Sequence, residues 1–254
     1  MNIAIVTGAS SGMGRETACF IDRLFDDSLD EIWIIARRKD RLLQLSSKLT
    51  HKTYILPLDL KNENDLDRLY MELSIVQPTV KMLVNASGFG LFGKFCDFTY
   101  KDQADMIRLN CEALVKMTGI VLPYMSKGGR IVQFASSAAF MPQPGFAVYA
   151  ASKAFVLSFS KALNQELKDR NISVTAVCPG PVDTEFFKVA ERLGKSLAFK
   201  KYFMKDPKEV VKDAMIDAYH RRAVSISGIW MKLFYVFAKM VPHDIILFVM
   251  KFMK

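Results

Sequence analysis

The strongest constraint on this chain is an alternation that runs through its first 177 residues. Short apolar runs at about residues 3–6, 32–36, 53–58, 82–85, 130–135 and 173–177 are separated by helix-compatible stretches at about 12–25, 39–50, 62–76, 100–125 and 148–170. Each run is too short for a helix and too continuously apolar for a half-exposed strand, which is how a strand covered on both faces reads. Such strands alternating with helices build βαβ units, so the expected fold is α/β: one Rossmann-like, doubly wound parallel sheet with helices on both faces. No linker or internal repeat breaks the pattern, so residues 1–254 read as a single domain. A chain of this length buries a sufficient core without staples. Its four cysteines, Cys19, Cys96, Cys111 and Cys178, have neither a paired nor a metal-ligand spacing, and the three histidines lie far apart. Reduced structural thiols and no metal site are expected. The start, MNIAIVTGAS, lacks the basic and long apolar regions of a secretion signal, which points to the cytoplasm.

The first apolar run leads directly into Thr7-Gly8-Ala9-Ser10-Ser11-Gly12-Met13-Gly14, with a helix-compatible stretch behind it. Glycines at a strand-to-helix turn let the backbone approach a pyrophosphate, and a helix N-terminus supplies free N–H groups and positive potential. The Gly-Lys-Ser/Thr ending of a nucleoside triphosphate loop is absent, so the turn reads as a dinucleotide cradle. The second run ends in Arg37-Arg38-Lys39, with no carboxylate before Asp40. An acid there would bind the ribose 2′-hydroxyl of NAD, whereas arginine accommodates the 2′-phosphate of NADP. NADP(H) is therefore the expected cofactor and NAD the lesser alternative, with Arg15 as a further candidate for the phosphate.

Tyr149 and Lys153 are four residues apart, one turn along one helix face. A neighbouring ammonium favours phenolate over phenol, so the pair predicts a tyrosine with a lowered pKa, usable as acid or base. A strand ending in Ser136-Ser137 precedes the pair, and Ala150, Ala151 and Ser152 between its members leave room for a flat cofactor.

With these motifs together, residues 1 to about 185 resemble the short-chain dehydrogenase/reductase family. TGASSGMG resembles its cofactor loop, Asn85-Ala86-Ser87-Gly88 its fourth-strand element, Tyr149 to Lys153 its Tyr-x-x-x-Lys signature, and CPGPVDT, residues 178–184, its Pro-Gly element. The resemblance implies a catalytic set of Asn110, Ser136, Tyr149 and Lys153. Tyr149 would exchange the proton with a carbonyl or alcohol, Lys153 would assist it and bind the nicotinamide ribose, and Ser136 would hold the substrate oxygen, with Ser137 as its rival. Asn110 would support a water and proton relay; read without the family, an asparagine inside MIRLNCEAL suggests a kink or a polar partner. The cofactor would be held by Gly8, Ser10, Ser11, Gly12, Met13 and Gly14, by Arg37 and Arg38, by Asp59 and Leu60 at the adenine, and by Asn85, Ala86 and Ser87. Pro179, Gly180, Val182 and Thr184 would line the nicotinamide. NASG in place of NNAG, and Ala139-Phe140 where the family often has Ala-Gly, imply a differently shaped substrate-side loop. The activity implied is hydride transfer between NADP(H) and a carbonyl or secondary alcohol, by a homodimer or homotetramer.

Charge divides the chain unevenly. Its formal net charge is +9, and residues 200–254 hold eleven basic and five acidic side chains, a surplus of six. No nucleic-acid recognition motif accompanies this charge, which argues against nucleic acid as a partner. The apolar runs GIWM, LFYVFA and IILFVM are cut by Lys232, Lys239, Asp244 and Lys251, and none is long enough to span a bilayer. Three readings of residues 185–254 stay open: a lid or wall over the substrate pocket, a basic segment lying on an anionic membrane, or a subunit contact. Phe89, Leu91, Phe92, Phe95, Met141, Pro142 and the tail suggest an apolar pocket and a lipid, sterol or hydrophobic ketone substrate. The rival of another class, a non-catalytic NADP(H) sensor on the same fold, has no use for the proton-transfer set.

Overall fold

The computed structural model describes residues 1–24, 29–190 and 204–252. Its strands are β1 (Asn2–Thr7), β2 (Glu31–Ile35), β3 (Lys52–Leu56), β4 (Thr79–Asn85), β5 (Met125–Phe134), β6 (Ser173–Val177) and the two-residue β7 (Val224–Ser225). They form one sheet in the order β3-β2-β1-β4-β5-β6-β7, every neighbouring pair parallel. The helices are α1 (Gly12–Leu24), α2 (Lys39–Ser46), α3 (Glu63–Val76), α4 (Tyr100–Ile107), α5 (Ala113–Val121), α6 (Ala147–Glu166), α7 (Phe186–Ala190), α8 (Pro207–Tyr219), α9 (Ile229–Met240) and α10 (His243–Phe252).

Alternation within the strands produces the two covered faces. Ile3 and Ile5 of β1 join Trp33, Ile35, Leu69, Met117 and Leu163 on one side of the sheet. Ala4 and Val6 point the other way, among Ile32, Ile34, Ile21, Leu42 and Met215. One face is thus packed by α3, α5 and α6 and the other by α1, α2 and α8, which is the doubly wound arrangement expected. Strand order reverses between β1 and β4, so the loops leaving their C-terminal ends diverge and open a crevice.

Several boundaries differ from the expectation for identifiable reasons. β5 begins at Met125, five residues early, because Met125 pairs with Val80 and the polar stretch Ser126-Lys127-Gly128-Gly129 bulges before pairing resumes at Arg130 with Met82, with Gly128 at φ +88°. The helix expected over 100–125 is three pieces: α4 passes into a π-helical turn at Arg108–Glu112, then α5. β7 was not foreseen, since two residues carry no periodic signal. α8 opens as its sequence predicts, with Asp206 capping the Lys208 N–H at 2.7 Å and Pro207 in the first turn. Cys111 and Cys178 are buried as expected, whereas Cys19 is half-buried and Cys96 exposed; all four are free thiols. No described helix is long and apolar enough to cross a membrane, and the described residues contain no group of three His, Cys, Asp or Glu fit to hold a metal ion.

Candidate active site

At the crevice, β1 turns sharply into α1. Gly8 has φ +69° and Gly12 φ +53°, conformations that side chains with a Cβ rarely adopt. A Cβ on Gly8 would lie 2.8 Å from the Ala86 carbonyl oxygen, and one on Gly14 would lie 2.4 Å from the Gly8 oxygen. The loop therefore packs backbone to backbone against the segment after β4. Thr7 Oγ1 fixes that contact by accepting the N–H groups of Ala86 (3.0 Å) and Ser87 (3.2 Å). Met13 turns its side chain into the core instead. The first turn of α1 carries no acidic residue, which keeps its N-terminus attractive to anions.

A cavity of about 410 Å³ lies beside this turn, lined by Ser10, Ser11, Gly12, Arg15, Arg41 and Glu185 among others. Arg38 reaches across it, donating to Ser10 Oγ at 3.0 and 3.2 Å, to Ser11 Oγ at 2.8 Å and to Glu185 Oε2 at 3.0 Å. Arg41 donates to Glu185 Oε1 at 2.6 Å. The two guanidiniums, Arg41 first, hold the Glu185 carboxyl below the usual carboxylate range. Arg37, one residue along the extended chain, is exposed and makes none of these contacts, so of the arginine doublet only Arg38 faces the loop. The sequence reading does not reach Arg41 or Glu185: Arg41 sits in the first turn of α2, one helical turn past Arg38, and the pairing of Glu185 with position 38 spans 147 residues. Hydroxyls, arginines and a glycine turn make this cradle fit a phosphate-bearing dinucleotide.

The other end of the crevice is dry. Tyr149 and Lys153 on α6 are both buried, 7% and 6% exposed. Burial pushes the Tyr149 phenol up to about 12, against a downward pull from its hydrogen bond with the Ser136 hydroxyl. Burial also brings the Lys153 ammonium down to about 8. Lys153 was expected to lower the tyrosine, but here its Nζ donates to the Phe134 carbonyl at 2.7 Å and stands 5.8 Å from the tyrosine ring centroid. Ser136 rather than Lys153 supplies the pull. Ser137 uses its backbone N–H on the Pro179 carbonyl, 2.8 Å away, so the serine bonded to the phenol is Ser136.

Asn110 explains the π-helical turn. Its Nδ2 donates to the Phe89 carbonyl (2.9 Å) and to Ser152 Oγ (3.0 Å), and its Oδ1 accepts the Phe89 N–H (3.0 Å). The side chain is fully used in tying the loop after β4 to α6, the polar partner that an asparagine inside a helix implied. Gly88 and Gly90 make room: a Cβ on Gly88 would lie 2.9 Å from Asn110 Oδ1 and 3.4 Å from Lys153 Nζ, and one on Gly90 2.7 Å from the Tyr149 ring. Phe146 and Phe186 flank that ring at centroid distances of 4.6 and 5.3 Å. Phe146 lies three residues before Tyr149, at the start of the same helix, whereas Phe186 meets the ring across the fold and no sequence spacing links the two.

The remaining candidates sit as follows. Asn85 is buried and donates to Thr118 Oγ1 at 3.2 Å, leaving its Oδ1 without a partner. Asp59 Oδ1 accepts the Lys61 N–H at 3.1 Å, a turn-forming contact, and Leu60 is buried in the core. Val182 bridges Lys205, Gly180 packs under Met231, and Thr184 lies over Gly12.

Known proteins are similar to this chain in sequence and fold. The family model described as short chain dehydrogenase matches residues 2–192. Sulfoacetaldehyde reductase 2 of Chromohalobacter salexigens is 36% identical over 73% of this chain and 74% of its own. The NADP-dependent 3-hydroxy acid dehydrogenase of Shigella flexneri is 34% identical over 79% and 81%. Among solved structures, a short-chain dehydrogenase from Sphingobium yanoikuyae in complex with NADPH superposes with a TM-score of 0.77 at 28% identity, covering 90% of this chain and 89% of that one. With the family model spanning three-quarters of the sequence, the chain belongs to the short-chain dehydrogenase family and is an oxidoreductase acting on CH–OH or C=O groups.

Proposed function

We propose that the protein is an NADP(H)-dependent reductase of carbonyl compounds in which Tyr149 supplies the proton. The observation that carries this reading is the buried Tyr149 phenol, hydrogen-bonded to Ser136 and pushed up to about 12. Such a phenol is protonated throughout the physiological range, so it meets a carbonyl oxygen as an acid. NADPH would supply the hydride and the protein the orientation. Gly8, Gly12, Gly14, Ser10 and Ser11 would hold the pyrophosphate, Arg38 and Arg41 the 2′-phosphate, and Ala86, Ser87, Pro179, Gly180 and Thr184 the nicotinamide half. Lys153 and Ser136 orient the oxygen being reduced, and Asn110 positions the loop beside it.

Phe146 and Phe186 against the tyrosine, with Phe92 behind Phe146, support an apolar substrate, with α7 and α9 contributing to its wall: Phe186 touches Tyr149, and Met231 touches Gly180. Exposed Ile107, Val115 and Phe155, on and between the helices that carry Asn110 and Tyr149, support self-association there. Four free thiols suit a reducing compartment such as the cytoplasm.

The test is NADPH oxidation over a carbonyl panel that includes sulfoacetaldehyde, 3-oxo acids and bulky apolar ketones. Tyr149→Phe keeps the ring packing and removes the acid, and a loss of about 10²–10⁴-fold in kcat is expected. Activity untouched by that substitution would remove Tyr149 from the mechanism, and a preference for the anionic substrates would overturn the apolar pocket.

A further inference from the structure

Helix α9 is apolar on both its inner and its outer face. Its inner face, Met231, Phe234, Tyr235 and Ala238, packs on the core, with Phe140 at centroid distances of 6.0 Å from Phe234 and 4.7 Å from Tyr235. Its outer face follows helical spacing through Ile229, Trp230, Leu233, Val236, Phe237 and Met240, and these six side chains are 51–78% exposed. Helix α10 continues the surface with Ile245 and Val249, 55% and 50% exposed. A globular helix normally presents charge on the side away from its core, and a contiguous patch of large apolar groups on that side marks a docking face.

We propose that the outer face of α9, with α10, lies in the surface of an anionic membrane. The argument for lipid over a second copy of the chain is charge. The charged side chains of α9 are Lys232 and Lys239, both exposed, while on α10 Asp244 and Lys251 balance, so the two helices together carry two positive charges, both on α9. Both α9 lysines lie along one border of the apolar face, Lys239 with its ammonium 4.5 Å from the Tyr235 ring centroid, where the stems can follow the apolar surface and the charges meet phosphate headgroups. An antiparallel two-fold contact between copies would set this cationic border against the same cationic border. Twelve residues make a helix about 18 Å long, too short to span the bilayer, so it lies in the plane.

The chain carries its own reporter. It has two tryptophans: Trp33 is buried in the core, 1% exposed, and Trp230 is 74% exposed on the proposed face. Full-length protein mixed with phosphatidylcholine vesicles containing phosphatidylglycerol should float with them and shift its tryptophan emission to the blue, with much less of either on pure phosphatidylcholine or at high salt. Trp230→Phe should lose the emission shift and keep flotation. The pair Leu233→Glu and Phe237→Glu, whose side chains touch solvent rather than core, should lower the bound fraction at least tenfold while the far-ultraviolet circular dichroism is unchanged. Lys232→Glu with Lys239→Glu should remove the preference for anionic vesicles. Wild-type protein that neither floats nor shifts its emission overturns the proposal, whether or not the glutamate variants fold. So does light scattering that shows the glutamate pair converting an oligomer to a monomer while vesicles are ignored, which would assign the face to self-association.

Discussion

The two ends of the crevice handle charge in opposite ways. At the glycine-loop end, Arg38, Arg41 and Glu185 form ion pairs while each side chain stays 36–42% exposed. At the other end Tyr149 and Lys153 are buried, and burial drives each toward its neutral form. The first arrangement suits recognition: exposed charges keep their ionisation, attract an anion and exchange partners readily. The second suits chemistry, because a dry site magnifies every change of proton or dipole. Adjacent residues join the two ends, since Glu185 reaches the arginines while Phe186 lies on the Tyr149 ring.

The dry end gives the largest expected effect on stability. Folding takes Lys153 from its ordinary 10.5 down to about 8, so the unfolded chain binds more protons between those values. Wild-type stability should therefore rise as pH climbs from about 8 to 10.5, and the penalty is fully present below that window. Folding takes Tyr149 from 10 up to about 12, so stability should fall between those values. Lys153→Met keeps the stem and removes the charge; at pH 7 it should stabilise the protein by about 2–3 kcal/mol, less the hydrogen bond to Phe134, while activity collapses. Urea unfolding across a pH series reads the difference. A gap between variant and wild type that stays constant from pH 7 to 10.5 would mean that Lys153 is not desolvated.

At the wet end the arginines can be told apart. Loss of Arg38 removes a guanidinium aimed at the loop hydroxyls, and Arg38→Ala should weaken NADPH binding by about 2 kcal/mol, roughly 30-fold, with little change for NADH. Arg37→Ala should leave both affinities within about twofold, the range of an exposed charge. Titration followed by nicotinamide fluorescence measures both; equal losses for the two variants would mean that the doublet acts as a diffuse charge.

That contrast also marks where sequence stops being legible. The sheet, the glycine turn and the Tyr149–Lys153 helix were readable because strand alternation, positive-φ glycines and helical spacing are local properties. The choice between Arg37 and Arg38, or Ser136 and Ser137, was not, because one residue along an extended chain reverses the side chain and only the facing partner selects it. Phe186 and Glu185 were invisible for a related reason: each meets its partner through the tertiary fold. Asn110 lay between these cases, its oddity readable within the helix and its partner, the Phe89 backbone, not. The two apolar faces of α9 could not be separated from composition either, because only the fold shows that one packs on Phe140 and the other meets solvent.

The smallest expected effect tests the connection between the ends. Glu185 occupies with its carboxylate the guanidinium N–H groups that a 2′-phosphate would use, so it competes for Arg38 and Arg41. Removing its charge should favour the phosphate, but these groups are more than a third exposed and water screens them, which limits the gain to below about 1 kcal/mol. Glu185→Gln should therefore tighten NADPH about two- to fivefold, leave NADH unchanged, and lose this advantage as salt rises. Because the next residue lies on the Tyr149 ring, the same substitution should also alter kcat for NADPH turnover while Arg37→Ala does not. Weaker NADPH binding in Glu185→Gln would reverse the assignment, making the carboxylate an orienting partner that keeps both arginines aimed at the phosphate.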